Sequence, residues 1–85
     1  MIDKSKASFA VVRFNEQTYE SGGVVAVVQG IEAAQKALTA CGLQQSEQNR
    51  MAGWRYFLEK TNLRAGMDPE KATKLRQMKL DLQES

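Results

Sequence analysis

Tyr56 and Lys60 are four residues apart, a spacing that sets a phenol beside an ammonium group if the segment is helical. One class of dehydrogenase uses such a pair beside a bound dinucleotide. This chain has no glycine-rich dinucleotide-binding loop, and its 85 residues are too few for the fold that carries one. We therefore interpret Tyr56 and Lys60 as surface residues.

General acid–base and metal chemistry have few candidate residues here. The chain contains no histidine, which is the commonest general base and a usual zinc ligand. Glu16 and Glu20 could share a helical face, but a solvated turn explains them better. Cys41 falls among apolar positions with no adjacent base, and Gly22 and Gly23 are interpreted as the entry to a helix rather than as an anion site. The sequence predicts no enzyme, no metal site and no cofactor.

Length and composition limit what the chain can build. Hydrophobic residues make up 42% and charged residues 26% of the sequence, which is the range of a folded globular domain. A chain this short is expected to form a single domain, residues 1–85, with a small core. The longest apolar run, residues 24–28, is too short to cross a bilayer, so no membrane partner is expected. With one cysteine and no signal-peptide pattern, we expect a cytoplasmic protein.

The N-terminal segment is the only one with a clear strand pattern. Residues 8–14, SFAVVRF, are aromatic and β-branched, which favours a short strand. A lone strand is unstable, so it must pair with another strand of the chain or with its own copy in a dimer.

Residues 24–41 carry the spacing of a core-facing helix. Their larger apolar side chains fall within one arc when placed on a helical wheel: Val24, Val27, Val28, Ile31, Ala34, Leu38 and Cys41. Ser21 is the predicted N-cap, and Gly42 is where a helix-terminating glycine is expected. The sequence therefore predicts one central helix, against the β propensity of its valines.

A second helix is predicted over residues 46–64, with Ser46 as N-cap. Its apolar residues again share one arc, which predicts a core stripe: Met51, Trp54, Phe57, Leu58 and Thr61. Tyr56, Lys60 and Arg64 point the other way. This aromatic and basic side is the best candidate for a contact surface.

The third predicted helix has the strongest start signal. Asp68 stands as N-cap and Pro69 at the first helical position. Its apolar stripe is predicted to be Ala72, Leu75, Met78 and Leu82. The expected fold is therefore mainly α, a small domain of three helices with a short extended N-terminal segment. The alternative is an α+β fold in which that segment is a strand.

The leading functional hypothesis is a small non-enzymatic interaction protein, an adaptor, regulator or inhibitor that binds a partner protein through a helical surface. The predicted contact residues are Tyr56, Lys60 and Arg64, with Arg55 beside them. A homodimer through the third helix is a further expectation, because Leu75, Met78 and Leu82 follow a short coiled-coil spacing.

The alternative hypothesis is a nucleic-acid-binding regulator that uses the basic second half. Residues 49–85 carry eight basic and five acidic side chains, whereas residues 1–48 carry four and five. The candidate nucleic-acid-binding residues are Arg50, Lys71, Lys74, Arg76 and Lys79. A helix-turn-helix is disfavoured because the connection over residues 62–68 is too long.

Overall fold

A computed structural model describes the backbone of residues 6–84 and the side chains of residues 6–82. Within this part of the chain, three strands and three helices follow one another: β1 (Ser8–Asn15), β2 (Ser21–Gln29), α1 (Ile31–Gln44), α2 (Glu47–Met51), β3 (Trp54–Thr61) and α3 (Pro69–Glu84). The strands form a three-stranded antiparallel sheet in the order β2-β1-β3. Each helix among the described residues is too short or too polar to span a lipid bilayer.

The prediction of a mainly α three-helix domain is wrong, because the fold is α+β. The alternative fold class applies, although it foresaw only one strand. The strand predicted over residues 8–14 is confirmed as β1, and it pairs within the chain on both sides, with β2 and with β3.

The central helix predicted over residues 24–41 is wrong, since the valines form β2 and only residues 31–44 are helical. A β-bulge explains the error. Val11 pairs with Ala26 and Val12 with Val24, so Val25 is an extra residue in β2. The bulge puts Val24 and Val27 on the same face of the sheet, packed in one cluster with Ala72. Their separation of three residues imitates a helical period.

Both predicted ends of that helix are also wrong. Ser21 is the first residue of β2 rather than an N-cap. Helix α1 begins after Gly30, whose φ of 91° suits glycine and whose carbonyl accepts the Ala34 amide. Gly42 lies inside α1, which continues to Gln44.

The second predicted helix forms for only its first five residues, α2. The hydroxyl of Ser46 accepts the Asn49 amide at 3.1 Å, which confirms the predicted N-cap. Gly53, with a φ of 102°, then turns the chain into β3. The sheet carries helices on both faces, so β3 has apolar residues facing both ways and lacks clean alternation.

The start of α3 is confirmed. A carboxylate oxygen of Asp68 accepts the Lys71 amide at 3.2 Å, and Pro69 is the first helical residue. The predicted stripe is buried only in its first half, because Ala72 is fully buried and Leu75 half-buried. Met78 is 60% and Leu82 75% exposed.

The two faces of the sheet are covered by different helices. On one face, the α3 face, Ala10, Val12, Val24 and Val27 pack with Ala72. On the other, the α1 face, Val11 is fully buried, as is Ala34 of α1. Cross-strand pairing then places Phe14, Phe57 and Glu59 on the α3 face and Arg13, Trp54, Tyr56 and Lys60 on the α1 face.

Candidate functional site

A groove of about 380 Å³ lies between the C-terminal half of α1 and the first residues of β3. We name it the aromatic–basic groove and define it by its lining residues: Leu38, Gly42, Gln45, Arg50, Trp54, Arg55 and Tyr56. Gly42 leaves open space beside the groove, because a Cβ atom at this position would meet no atom within 4 Å.

Trp54 is held in place by a cation–π contact. The guanidinium carbon of Arg13 lies 3.8 Å from the centroid of the indole ring. The Arg13 stem in turn packs on Gly22, where an added Cβ would approach it to 2.8 Å. The half-buried indole is therefore fixed on the α1 face of the sheet.

Side-chain hydrogen bonds occupy the outward backbone carbonyl at the start of β3. The Trp54 carbonyl accepts from Arg55 at 2.7 Å and from Gln45 at 3.1 Å. Arg55 also donates to the Arg50 carbonyl at 2.9 Å. The oxygen of the same Gln45 side-chain amide, Oε1, is buried and accepts no hydrogen bond from the described residues.

The arginines of the groove differ in their charge partners. Arg55 forms an ion pair with Glu16 at 3.0 Å, and Arg50 lies 3.8 Å from Glu47. All four of these side chains are substantially exposed, so the pairs are weak and exchangeable. Arg13 makes no ion pair with any described residue, so the surroundings of the groove keep a small positive excess.

The predicted partner-binding residues are only partly brought together. Tyr56 and Arg55 both line the aromatic–basic groove, although they point to opposite faces of β3. Lys60 shares the α1 face with Tyr56 but is displaced by four residues, which is about 13 Å along a strand. Arg64 lies exposed in the loop between β3 and α3. The predicted single helical face does not exist, because residues 54–61 are a strand.

The predicted nucleic-acid-binding residues are spread over several surfaces. Arg50 lies in the aromatic–basic groove, and Lys71 and Lys74 are exposed on α3. Arg76 is engaged by Glu59 through two hydrogen bonds of 2.6 and 3.2 Å. Lys79 lines a second groove of about 420 Å³, between the end of β3 and the C-terminal half of α3.

Several groove residues were not predicted from the sequence. Trp54 was assigned to the core, and Leu38, Gly42 and Gln45 had no assigned contact role. No sequence signal marks them, because the groove depends on how α1 crosses β3. Cys41, on the same helix, is half-buried, and burial raises the pKa of its thiol. Among the side chains of residues 6–82, no three acidic or cysteine groups cluster as metal ligands.

Comparison of the chain with protein-family models, with curated proteins and with solved structures finds no match. Function is therefore inferred from the chemistry of these surfaces alone.

Proposed function

We propose that this protein is a small non-enzymatic interaction protein that binds a segment of a partner protein in the aromatic–basic groove. The observation that carries the proposal is the meeting of Trp54, Tyr56, Arg50 and Arg55 in one groove. Tryptophan, tyrosine and arginine are the residue types that contribute most to binding energy at protein interfaces.

The chemistry of the groove defines the partner segment. Leu38 and the rings of Trp54 and Tyr56 offer apolar surface to a large apolar side chain. Arg50 and Arg55 can exchange their exposed partners, Glu47 and Glu16, for a carboxylate of the ligand. We therefore propose a segment with an apolar side chain next to an acidic one.

Nucleic-acid binding is the second candidate, supported by the basic excess of residues 49–85. Binding to a phosphate backbone needs several uncompensated cations along one track. Here Arg50 and Arg76 each lie beside a carboxylate, and Lys71, Lys74 and Lys79 belong to a different part of the molecule from the groove. These positions favour a protein partner. We also propose that the protein works in the cytoplasm, because its single cysteine needs no oxidising compartment.

Selection from a random peptide display library on the immobilised protein tests the first proposal. We expect enriched peptides to pair Asp or Glu with a large apolar residue. Arg50→Glu should weaken the binding of such a peptide at least about tenfold, which corresponds to about 1.4 kcal/mol of binding free energy. The control Lys74→Ala, an exposed change on α3, should leave the affinity unchanged. Binding is measured by fluorescence anisotropy of the labelled peptide.

Two outcomes contradict the proposal. One is the failure of any acidic, apolar peptide to enrich, and the other is enrichment of peptides whose affinity is unaffected by both Arg50→Glu and Tyr56→Ala. Single-stranded and duplex DNA are titrated in parallel. DNA binding that falls steeply with salt and is lost with Lys74→Ala would favour the second candidate instead.

A further inference from the structure

The two edges of the sheet differ in how their backbone groups are used. At the β2 edge, the Val27 carbonyl accepts the Gly66 amide at 2.8 Å, and the Val24 amide donates to the Thr73 hydroxyl at 2.9 Å. These contacts cover the edge, as natural sheets commonly do. Among the described residues, the β3 edge has comparable contacts only at Trp54, at its first residue.

The alternation of an antiparallel ladder identifies the open groups of β3. The Glu16 amide donates to the Gly53 carbonyl at 2.9 Å, next to the paired residues Asn15 and Trp54. Every second pair after it is hydrogen-bonded, so Phe57 and Glu59 direct their amides towards β1. Tyr56, Leu58 and Lys60 then direct their amides and carbonyls outwards. None of these outward groups has a hydrogen-bond partner among the described backbone and side-chain groups.

We propose that the chain forms a homodimer by antiparallel pairing of β3 with β3 of a second copy, with the two-fold axis at Leu58. In this register Leu58 lies opposite itself, and Tyr56 lies opposite Lys60 of the partner subunit. Each residue with unbonded outward backbone groups thus lies opposite another such residue. Trp54, whose carbonyl is already hydrogen-bonded, lies outside the pairing. The two sheets join into one of six strands.

The charges of β3 favour this orientation and a second copy as the occupant. Arg55 lies in the first half of the strand and Glu59 in the second, both on the α3 face. Antiparallel pairing about Leu58 places Arg55 diagonally across from Glu59 of the partner subunit, within reach of long side chains. Parallel pairing would instead align like charges.

In the same arrangement, exposed apolar side chains on the α3 face of one copy lie beside exposed apolar side chains of the other. Phe57, 37% exposed, and Tyr19, 79% exposed, both flank Phe14, with ring centroids 6.4 Å from its own. The exposed Met78 and Leu80 belong to the part of α3 near the end of β3. Antiparallel pairing sets the end of one β3 beside the start of the other. The α3 end of one copy therefore comes next to the aromatic patch of its partner.

The dimer also adds a residue to the aromatic–basic groove. In one chain Tyr56 and Lys60 are about 13 Å apart along the strand. Across the two-fold axis they are direct neighbours, with Cα atoms about 5.5 Å apart. A cation is thereby placed beside the Tyr56 ring of each groove. The dimer does not itself depend on peptide binding.

Cysteine cross-linking tests the register in a Cys41→Ala background. The Leu58→Cys variant should form a disulfide-linked dimer under mild oxidation, because Cα atoms about 5.5 Å apart suit a disulfide. Tyr56→Cys and Lys60→Cys should each stay uncross-linked alone, because their own copies are about 13 Å apart. Mixing these two variants should produce a cross-linked heterodimer.

The solution mass of the wild-type protein is measured over a dilution series in parallel. We expect it to rise towards that of two chains with concentration. A mass of one chain throughout, or cross-linking of Lys60→Cys alone as efficient as that of Leu58→Cys, overturns the proposal. Neither assay contains peptide, so failure here leaves the peptide-selection result to be judged separately.

Discussion

Thr73 closes the outer edge of β2 by accepting a hydrogen bond from the Val24 amide at 2.9 Å. Its hydroxyl donates to the Pro69 carbonyl at 2.8 Å within α3. Thr73 also lies against Gly23, where an added Cβ would approach the threonine side chain to 2.9 Å. One side chain therefore joins the last helix to the edge strand that the sequence pattern had predicted to be helical.

Replacing Thr73 by valine should destabilise the fold by about 1–3 kcal/mol, because it leaves the Val24 amide without an acceptor while keeping the side-chain shape. Urea denaturation measures the loss. Thr39→Val, an exposed change on α1, is the control and should shift stability by less than about 0.5 kcal/mol. Equal stability of the two variants would mean that Thr73 does not hold the β2 edge.

The bidentate ion pair between Arg76 and Glu59 should contribute about 1–2 kcal/mol, more than an exposed pair, because the side chains are 20% and 30% exposed. Arg76→Lys should lose most of this, since an ammonium group lacks the planar fork that directs two parallel N–H groups at one carboxylate. A double-mutant cycle of Arg76→Ala and Glu59→Ala isolates the interaction free energy. A coupling indistinguishable from zero would contradict the pairing.

Two glycines should respond oppositely to alanine. At Gly53, φ is 102° and a Cβ would lie 2.7 Å from Asn15 Oδ1, the atom that accepts the Gln17 and Thr18 amides. Gly53→Ala should therefore cost about 2 kcal/mol or more. Gly42→Ala lies inside α1 in open space and should stabilise by about 0.5–1 kcal/mol. Thermal denaturation compares them, and a destabilised Gly42→Ala would contradict an open, helical environment at residue 42.

Burial raises the pKa of the Cys41 thiol, so the folded state holds this proton to higher pH than the unfolded chain does. The contribution of this thiol to the free energy of unfolding should therefore fall as pH rises above the ordinary thiol pKa. The difference in unfolding free energy between wild type and Cys41→Ala should change in that direction between neutral and alkaline pH. If the difference in unfolding free energy does not change with pH, or favours the wild type more at high pH, the burial of the thiol is contradicted.

The sequence predicted the elements whose signals are local. Residues 8–14 are β-branched and aromatic on both faces of a strand that is buried on both sides, so propensity and burial agree. Asp68 and Pro69 mark a helix start that depends only on neighbouring backbone groups. Ser46 caps α2 for the same reason.

The errors arose where tertiary structure changes the apparent period. The bulge at Val25 puts Val24 and Val27 on one face, and it arises from pairing with β1, which the spacing of apolar residues within 24–41 does not reveal. In β3, the side chains of Phe57 and Leu58 lie on opposite faces of the sheet. Their adjacency in sequence breaks the strand alternation and resembles the spacing of a helical stripe. No local signal separates these cases from a helix.

The candidate site was predicted only in its surface chemistry. Tyr56 was selected with Lys60 and Arg64 because a helical wheel sets them away from the apolar stripe, and Arg55 was added beside them. Residues 54–61 form a strand, so of these four residues only Tyr56 and Arg55 line the groove. Leu38, Gly42 and Gln45 come from a different helix, so their place beside β3 depends on packing that the sequence pattern does not reveal.

The most direct test is the backbone proton NOE pattern of β3. Val11 and Leu58, and likewise Arg13 and Tyr56, are non-hydrogen-bonded pairs of the antiparallel ladder, with Cα atoms about 4.5 Å apart. Strong Hα–Hα NOEs are predicted for both pairs. Helical contacts between residues three apart across residues 54–61, with no cross-strand Hα–Hα NOEs, would contradict the strand and the groove built on it.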